Sequence, residues 1–159
     1  MLTSSRFTRT AFLVATLAAA SPALTQPHPG WHTLDDDEGI TLYYGVPATD
    51  YAPLSFFCAG RGTPLEFIYV PDPRPRPSQQ PEEVRLQAGD LIVTILVTGT
   101  RLELDDTYLL RGEIPLDDRL ADLLTSSGVM QVFLRRNREE FPLDGARSAA
   151  QRFIEACQG

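Results

Sequence analysis

The chain has 159 residues, of which 43% are apolar and 22% charged, and a formal net charge of −7. Such a composition belongs to one globular domain, neither disordered nor fibrous, and its acidity argues against nucleic acid or an anionic membrane surface as a partner. All 14 basic residues are arginine, so lysine Schiff-base chemistry and a P-loop lysine are excluded outright.

Residues 1–23 set Arg6 and Arg9 ahead of an apolar run, Ala11–Ala20, which closes with Ser21-Pro22-Ala23. This is the three-part pattern of a secretory signal peptide, cleaved after Ala23 or close to it. An apolar run of about ten residues is half what a membrane-spanning helix needs. The expected location is a periplasm or the cell exterior, with no membrane insertion once the signal is removed. The remaining chain sets 12 arginines against 21 acids, a net charge of −9.

Residues 24–39 read as an extended N-terminal segment anchored by Trp31, with the run Asp35–Glu38 as a turn; residues 40–159 read as a single β-rich domain. His28, His32 and the acidic run could hold a divalent cation. Adjacent acids in an extended chain point alternately, however, and lack calcium-loop spacing, so no metal is expected. Ile40–Tyr44 alternates as a strand and stops at Gly45 and Pro47. Leu54–Ala59 is the next, with Leu54, Phe56 and Cys58 on one face. Gly60-Arg61-Gly62-Thr63-Pro64 turns the chain into a further strand, Leu65–Val70, as in a hairpin.

Residues 71–83 hold five prolines and no large apolar side chain. Alternating Pro and Arg favours an extended polyproline conformation that cannot pair inside a sheet. The segment reads either as a long exposed hairpin loop or as a partner-binding arm carrying Arg74 and Arg76. Strands resume at 83–87 and 91–97, where Gly99 interrupts, and continue at 101–104 and 108–113 around a turn at Asp105-Asp106. Pro115 and Asp117-Asp118 open a helix whose Leu116, Leu120, Leu123 and Leu124 share one face, and Ser126-Ser127-Gly128 ends it. A hairpin follows, 129–134 and 139–143, turning at Arg136-Asn137. The last element is a helix, 146–157, with Ala149, Ala150, Phe153, Ile154 and Cys157 on its apolar side. About eight short strands, an inserted helix and a terminal helix, with no βαβ alternation, predict a mainly β fold with α additions: an antiparallel sandwich or an open barrel.

The compartment decides how the two cysteines read. In an oxidising space Cys58 and Cys157, both on inward faces, should pair. The bridge would close a loop of about 100 residues, worth roughly 4–5 kcal/mol. The alternatives are a reactive thiol or half of a zinc site.

Catalytic patterns are sparse. Both histidines lie in a Pro/Gly-flanked stretch and no G-x-S-x-G is present, so a Ser-His-Asp triad is not expected. Paired carboxylates such as Glu66 and Glu113 read more simply as solvent-side strand residues. No catalytic residue and no cofactor is therefore expected. Two arginine groups remain, Arg74/Arg76 and Arg135/Arg136/Arg138. Each is either a solubilising turn or a site where a partner's carboxylate or phosphate is held bidentately.

Trp31 ahead of a first strand, Leu-Ser-Phe-Phe-Cys-Ala at 54–59, and the ending Phe141-Pro142-Leu143-Asp144-Gly145 with Phe153 and Cys157 resemble small exported proteobacterial proteins of the VasI-like, type VI secretion-associated family. That resemblance implies a β-rich fold with a disulfide-tied C-terminal helix and an accessory role. Phe57-Cys58 with Leu65-Glu66-Phe67 is also similar to the opening strands of the membrane-bound inhibitors of c-type lysozyme. In this chain the second cysteine sits in a C-terminal helix instead of a barrel strand. The expected function is an exported, non-enzymatic domain that binds a periplasmic or envelope protein, with inhibition of a lysozyme-like cell-wall hydrolase as the alternative.

Overall fold

Alternating apolar side chains shape this molecule, because in a strand every second residue must find the same interior. The computed structural model describes residues 28–75, 80–102 and 107–159. The signal pattern at 1–23, Arg76 and the turn at Asp105-Asp106 lie outside those residues. Nine antiparallel strands form one sheet: β1 (Gly30–Asp36), β2 (Gly39–Gly45), β3 (Leu54–Cys58), β4 (Leu65–Tyr69), β5 (Glu82–Ala88), β6 (Leu91–Leu102), β7 (Thr107–Ile114), β8 (Val129–Leu134) and β9 (Asn137–Pro142). Among the described residues there are also two helices, α1 (Asp118–Thr125) and α2 (Ala146–Cys157).

The order across the sheet is β1-β2-β3-β4-β7-β6-β5-β8-β9. Four strands meander, and the chain then skips two places to lay down β5, β6 and β7 back towards β4. It skips again through α1 to add β8 and β9 beyond β5. The sequence reading of a hairpin loop between β4 and β5 is overturned: those two strands are not neighbours, and β7 and β6 lie between them. The sheet curls until its ends meet, with Trp31 Nε1 of β1 donating to the Pro142 carbonyl of β9 at 2.8 Å. Beside that bond the Tyr44 and Phe141 rings of β2 and β9 meet edge to face, 5.2 Å apart. The result is a half-barrel, the open-barrel alternative of the sequence reading and not a two-sheet sandwich.

The concave face carries the core: Leu42, Leu54, Phe56, Phe67, Leu86, Ile95, Leu110 and Val132 are all buried. The helices roof this face, α2 packing against β1, β2 and α1, and α1 against β6. Asp117 caps α1, its Oδ1 accepting from the Leu120 amide at 2.9 Å, so one of the otherwise unpaired first-turn N–H groups is satisfied. Leu120, Leu123 and Leu124 point into the core from that helix. Cys58 at the end of β3 and Cys157 at the end of α2 are bonded, with their Cα atoms 6.1 Å apart and 99 positions apart in sequence. The β3–β4 loop also caps α2, the Gly62 amide donating to the Cys157 carbonyl at 2.9 Å.

Two segments differ from expectation for identifiable reasons. The extended N-terminal segment is, over Gly30–Asp36, a true strand paired along its length with β2. Its polar, histidine-containing sequence concealed this. Gly99 does not interrupt β6, which runs through it to Leu102; the missing side chain leaves room for the Tyr108 ring, a close approach typical of strand glycines. Gly112, in the middle of β7, is bounded by backbone that cannot swing aside, since a Cβ there would run into the Leu96 carbonyl. Gly112→Ala should therefore lower stability by about 1–3 kcal/mol, read as a lower urea midpoint; an unchanged midpoint would refute the packing argument.

Candidate functional site

The arginines singled out in the sequence divide by what holds them. Leu134 pairs with Asn137 across a two-residue turn made by Arg135 and Arg136, one position earlier than expected. Arg135 adopts a left-handed φ of 55° and grips Glu82 with two nitrogens, Nε at 2.5 Å and Nη2 at 2.6 Å. This bidentate fork joins the hairpin to the start of β5 and gives Arg135 a structural task. The hydrogen bond to Glu82 raises its already high pKa. Arg138 pairs with Glu140 on its own strand at 3.3 Å, and Arg136 is exposed at the turn. Arg135 and Arg138 are thus held by carboxylates of the protein itself.

Arg74 lies elsewhere, on a groove of about 410 Å³. One wall is the loop between β2 and β3, and its hydrogen bonds hold it firmly. The Val46 amide donates to the Tyr51 carbonyl at 3.0 Å, the Thr49 hydroxyl to the Val46 carbonyl at 2.8 Å, and the Tyr51 amide to Thr49 Oγ1 at 3.2 Å. The other wall is the chain leaving β4, stitched to the first by the Val70 amide on the Pro53 carbonyl at 2.8 Å. Tyr51, 53% exposed, Pro53 and Pro71 supply apolar surface, and Asp50, Asp72 and Glu139 supply charge.

Glu139 is the residue that sequence reading overlooked. It pairs with buried Val132 and so points to the concave side, as Phe141 does two positions later. That period-two relation to Phe141 was the available signal, and an inward carboxylate on a strand is costly unless hydrogen-bonded. Its Oε1 accepts from both the Tyr69 hydroxyl and the Asp72 amide, the latter at 2.8 Å. Burial, then the hydrogen bond to Glu139, then the charges of Glu139 and Asp72 push the Tyr69 phenol far above its usual range.

The sign of this shift gives a pH prediction. A phenol that keeps its proton longer in the folded state than in the unfolded one stabilises the fold below about pH 10. Its contribution is lost as pH rises above that value, because the unfolded chain then releases its proton first. The unfolding free energy should fall with a slope of up to about 1.4 kcal/mol per pH unit from this group. In urea titrations between about pH 9 and 11, Tyr69→Phe should be measurably less steep than the parent. Equal slopes would show that Tyr69 is not the group responsible.

Two further hollows lie on the outer face. One, about 510 Å³, is lined by Glu82, Arg85, Phe133 and Arg135, with the Arg85 guanidinium 4.3 Å over the Phe133 ring. The other, about 430 Å³, brings Glu66 and Glu113 directly opposite each other on β4 and β7. There Arg111 Nη1 ion-pairs with Glu66 at 2.8 Å. Among the described residues no helix is long and apolar enough to cross a membrane. No protein-family model, curated protein or solved structure matches the chain.

Proposed function

We propose that the chain is an exported, non-enzymatic domain that binds another protein, as an accessory factor of an envelope or secretion system in the periplasm or outside the cell. The Cys58–Cys157 bond suits that oxidising setting. The observation carrying the binding role is the groove at the foot of the Pro-Arg segment: a preformed hollow with a half-exposed tyrosine, two prolines and a hydrogen-bonded wall. Exposed aromatic side chains beside polar groups are the usual anchors of protein contacts.

The test is capture of a partner from periplasmic extract by the disulfide-bonded protein. Tyr51→Ala with Asp50→Asn alters only exposed groove residues and should lose most of the captured partner. Capture undiminished by that variant would remove the groove from the function. The second reading, inhibition of a lysozyme-like hydrolase, is favoured by the carboxylates on the groove and the chain's net charge of −7. It expects slowed bacterial lysis that recovers with added salt, because charge attraction between exposed groups is screened.

A further inference from the structure

Resting on that binding role, we infer that the groove between residues 50–53 and 70–74 receives a cationic side chain, arginine or lysine, presented by an extended segment of the partner. Charge comes first. Among the described residues, Asp50, Asp72 and Glu139 border the groove together with one guanidinium, that of Arg74, so an incoming cation moves the site towards neutrality and an incoming anion meets three carboxylates. Glu139 is the strongest of the three attractors, because it is half-buried and held in place. Both hydrogen bonds it receives fall on Oε1, and a carboxylate offers about four acceptor positions. An N–H donor can therefore add to Glu139 without displacing Tyr69 or Asp72.

Shape agrees with charge. Exposed Tyr51 and half-buried Pro53 form an apolar rim, with buried Pro71 behind them, along which the methylene stem of an arginine or lysine can lie while its head reaches the carboxylates. The Tyr51 ring adds a surface on which a cation is itself favourable. A hollow of about 410 Å³ has room for one long side chain and a short length of backbone. Among the described residues no three carboxylates converge closely enough to hold a metal ion, so the charges suit a larger organic cation. The wall is fixed beforehand by the bonds from Val46, Thr49 and Val70, which lowers the ordering cost of binding.

The probes are four blocked tripeptides, acetyl-Ala-X-Ala-amide, with X arginine, lysine, citrulline or glutamate. They are titrated into the ¹⁵N-labelled, disulfide-bonded protein and followed by amide chemical shifts. The arginine and lysine peptides should shift amides at 50–53, 70–74 and 139. Citrulline, which keeps the shape and loses the charge, should bind about tenfold more weakly, and glutamate should shift none of them. Glu139→Gln keeps an acceptor for Tyr69 and Asp72 and should weaken arginine binding by a similar factor; Asp50→Asn, on the exposed loop, gives the same reading if Glu139→Gln does not fold. Citrulline binding as well as arginine, or shifts confined to other surfaces, would overturn the inference. Concentration-dependent shifts in the protein alone that vanish in Asp50→Asn would instead identify a second copy as occupant, and would overturn it too. Its failure is separable from that of the binding role. Partner capture lost in the groove variant while arginine and citrulline bind equally sinks only the cation; arginine-selective binding with undiminished capture sinks only the groove's part in partner binding.

Discussion

Cys58→Ser combined with Cys157→Ser is expected to lower the unfolding free energy by about 4–5 kcal/mol, the chain-entropy value for a loop of this size. The bond spans 99 positions, so the reduced, unfolded chain regains freedom over most of its described length. It also ties the C-terminal end of α2 to the end of β3, where Gly62 caps the helix. Releasing it should loosen the roof over the concave face as well as the chain ends. Domains of this kind are stable by only about 5–15 kcal/mol in total, so the doubly substituted protein should be partly unfolded at body temperature. Guanidinium titrations of the parent and the variant, both followed by circular dichroism, measure the difference. A loss below about 1 kcal/mol would mean that packing, and not the covalent link, holds α2 in place.

Trp31→Ala should have the next largest effect, about 3–5 kcal/mol. Trp31 is only 7% exposed, its indole N–H bonds the Pro142 carbonyl, and its ring meets Tyr44 edge to face at 5.6 Å. Removing it leaves a cavity at the seam and an unmatched carbonyl together. Trp31→Phe separates these terms, since it keeps much of the packing and loses only the hydrogen bond, about 1 kcal/mol. Thermal denaturation of both variants decides the matter. If the two substitutions cost the same, the hydrogen bond dominates and the ring is incidental.

Much of this architecture was legible because it rests on local rules. The strands at 40–44, 54–59 and 65–70 were legible from alternation, α1 from Asp117 and its leucine spacing, and α2 from the positions of Phe153 and Cys157. The bridge followed from two cysteines on inward faces, read together with the signal-like pattern at 1–23. Strand order was not legible, because nothing within residues 71–81 records that the chain passes two strands before β5. β1 was missed because Gly30–Asp36 buries only Trp31 and owes its pairing to β2, not to its own composition. The groove was half legible. Arg74 was noted, but Glu139 matters only because the curl of the sheet brings β9 beside the end of β4, a contact that joins Tyr69 to a residue 70 positions away.

The interleaved path of the chain bears on how the protein comes into being. β1 and β2 find their cover in α2, the last described element in chain order, so these strands must wait for a helix synthesised long after them. Assembly dominated by such distant pairings is slow and all-or-none. A nascent chain halted before residue 146 would therefore lack the helix that covers β1 and β2, and should remain a substrate for chaperones until that helix emerges.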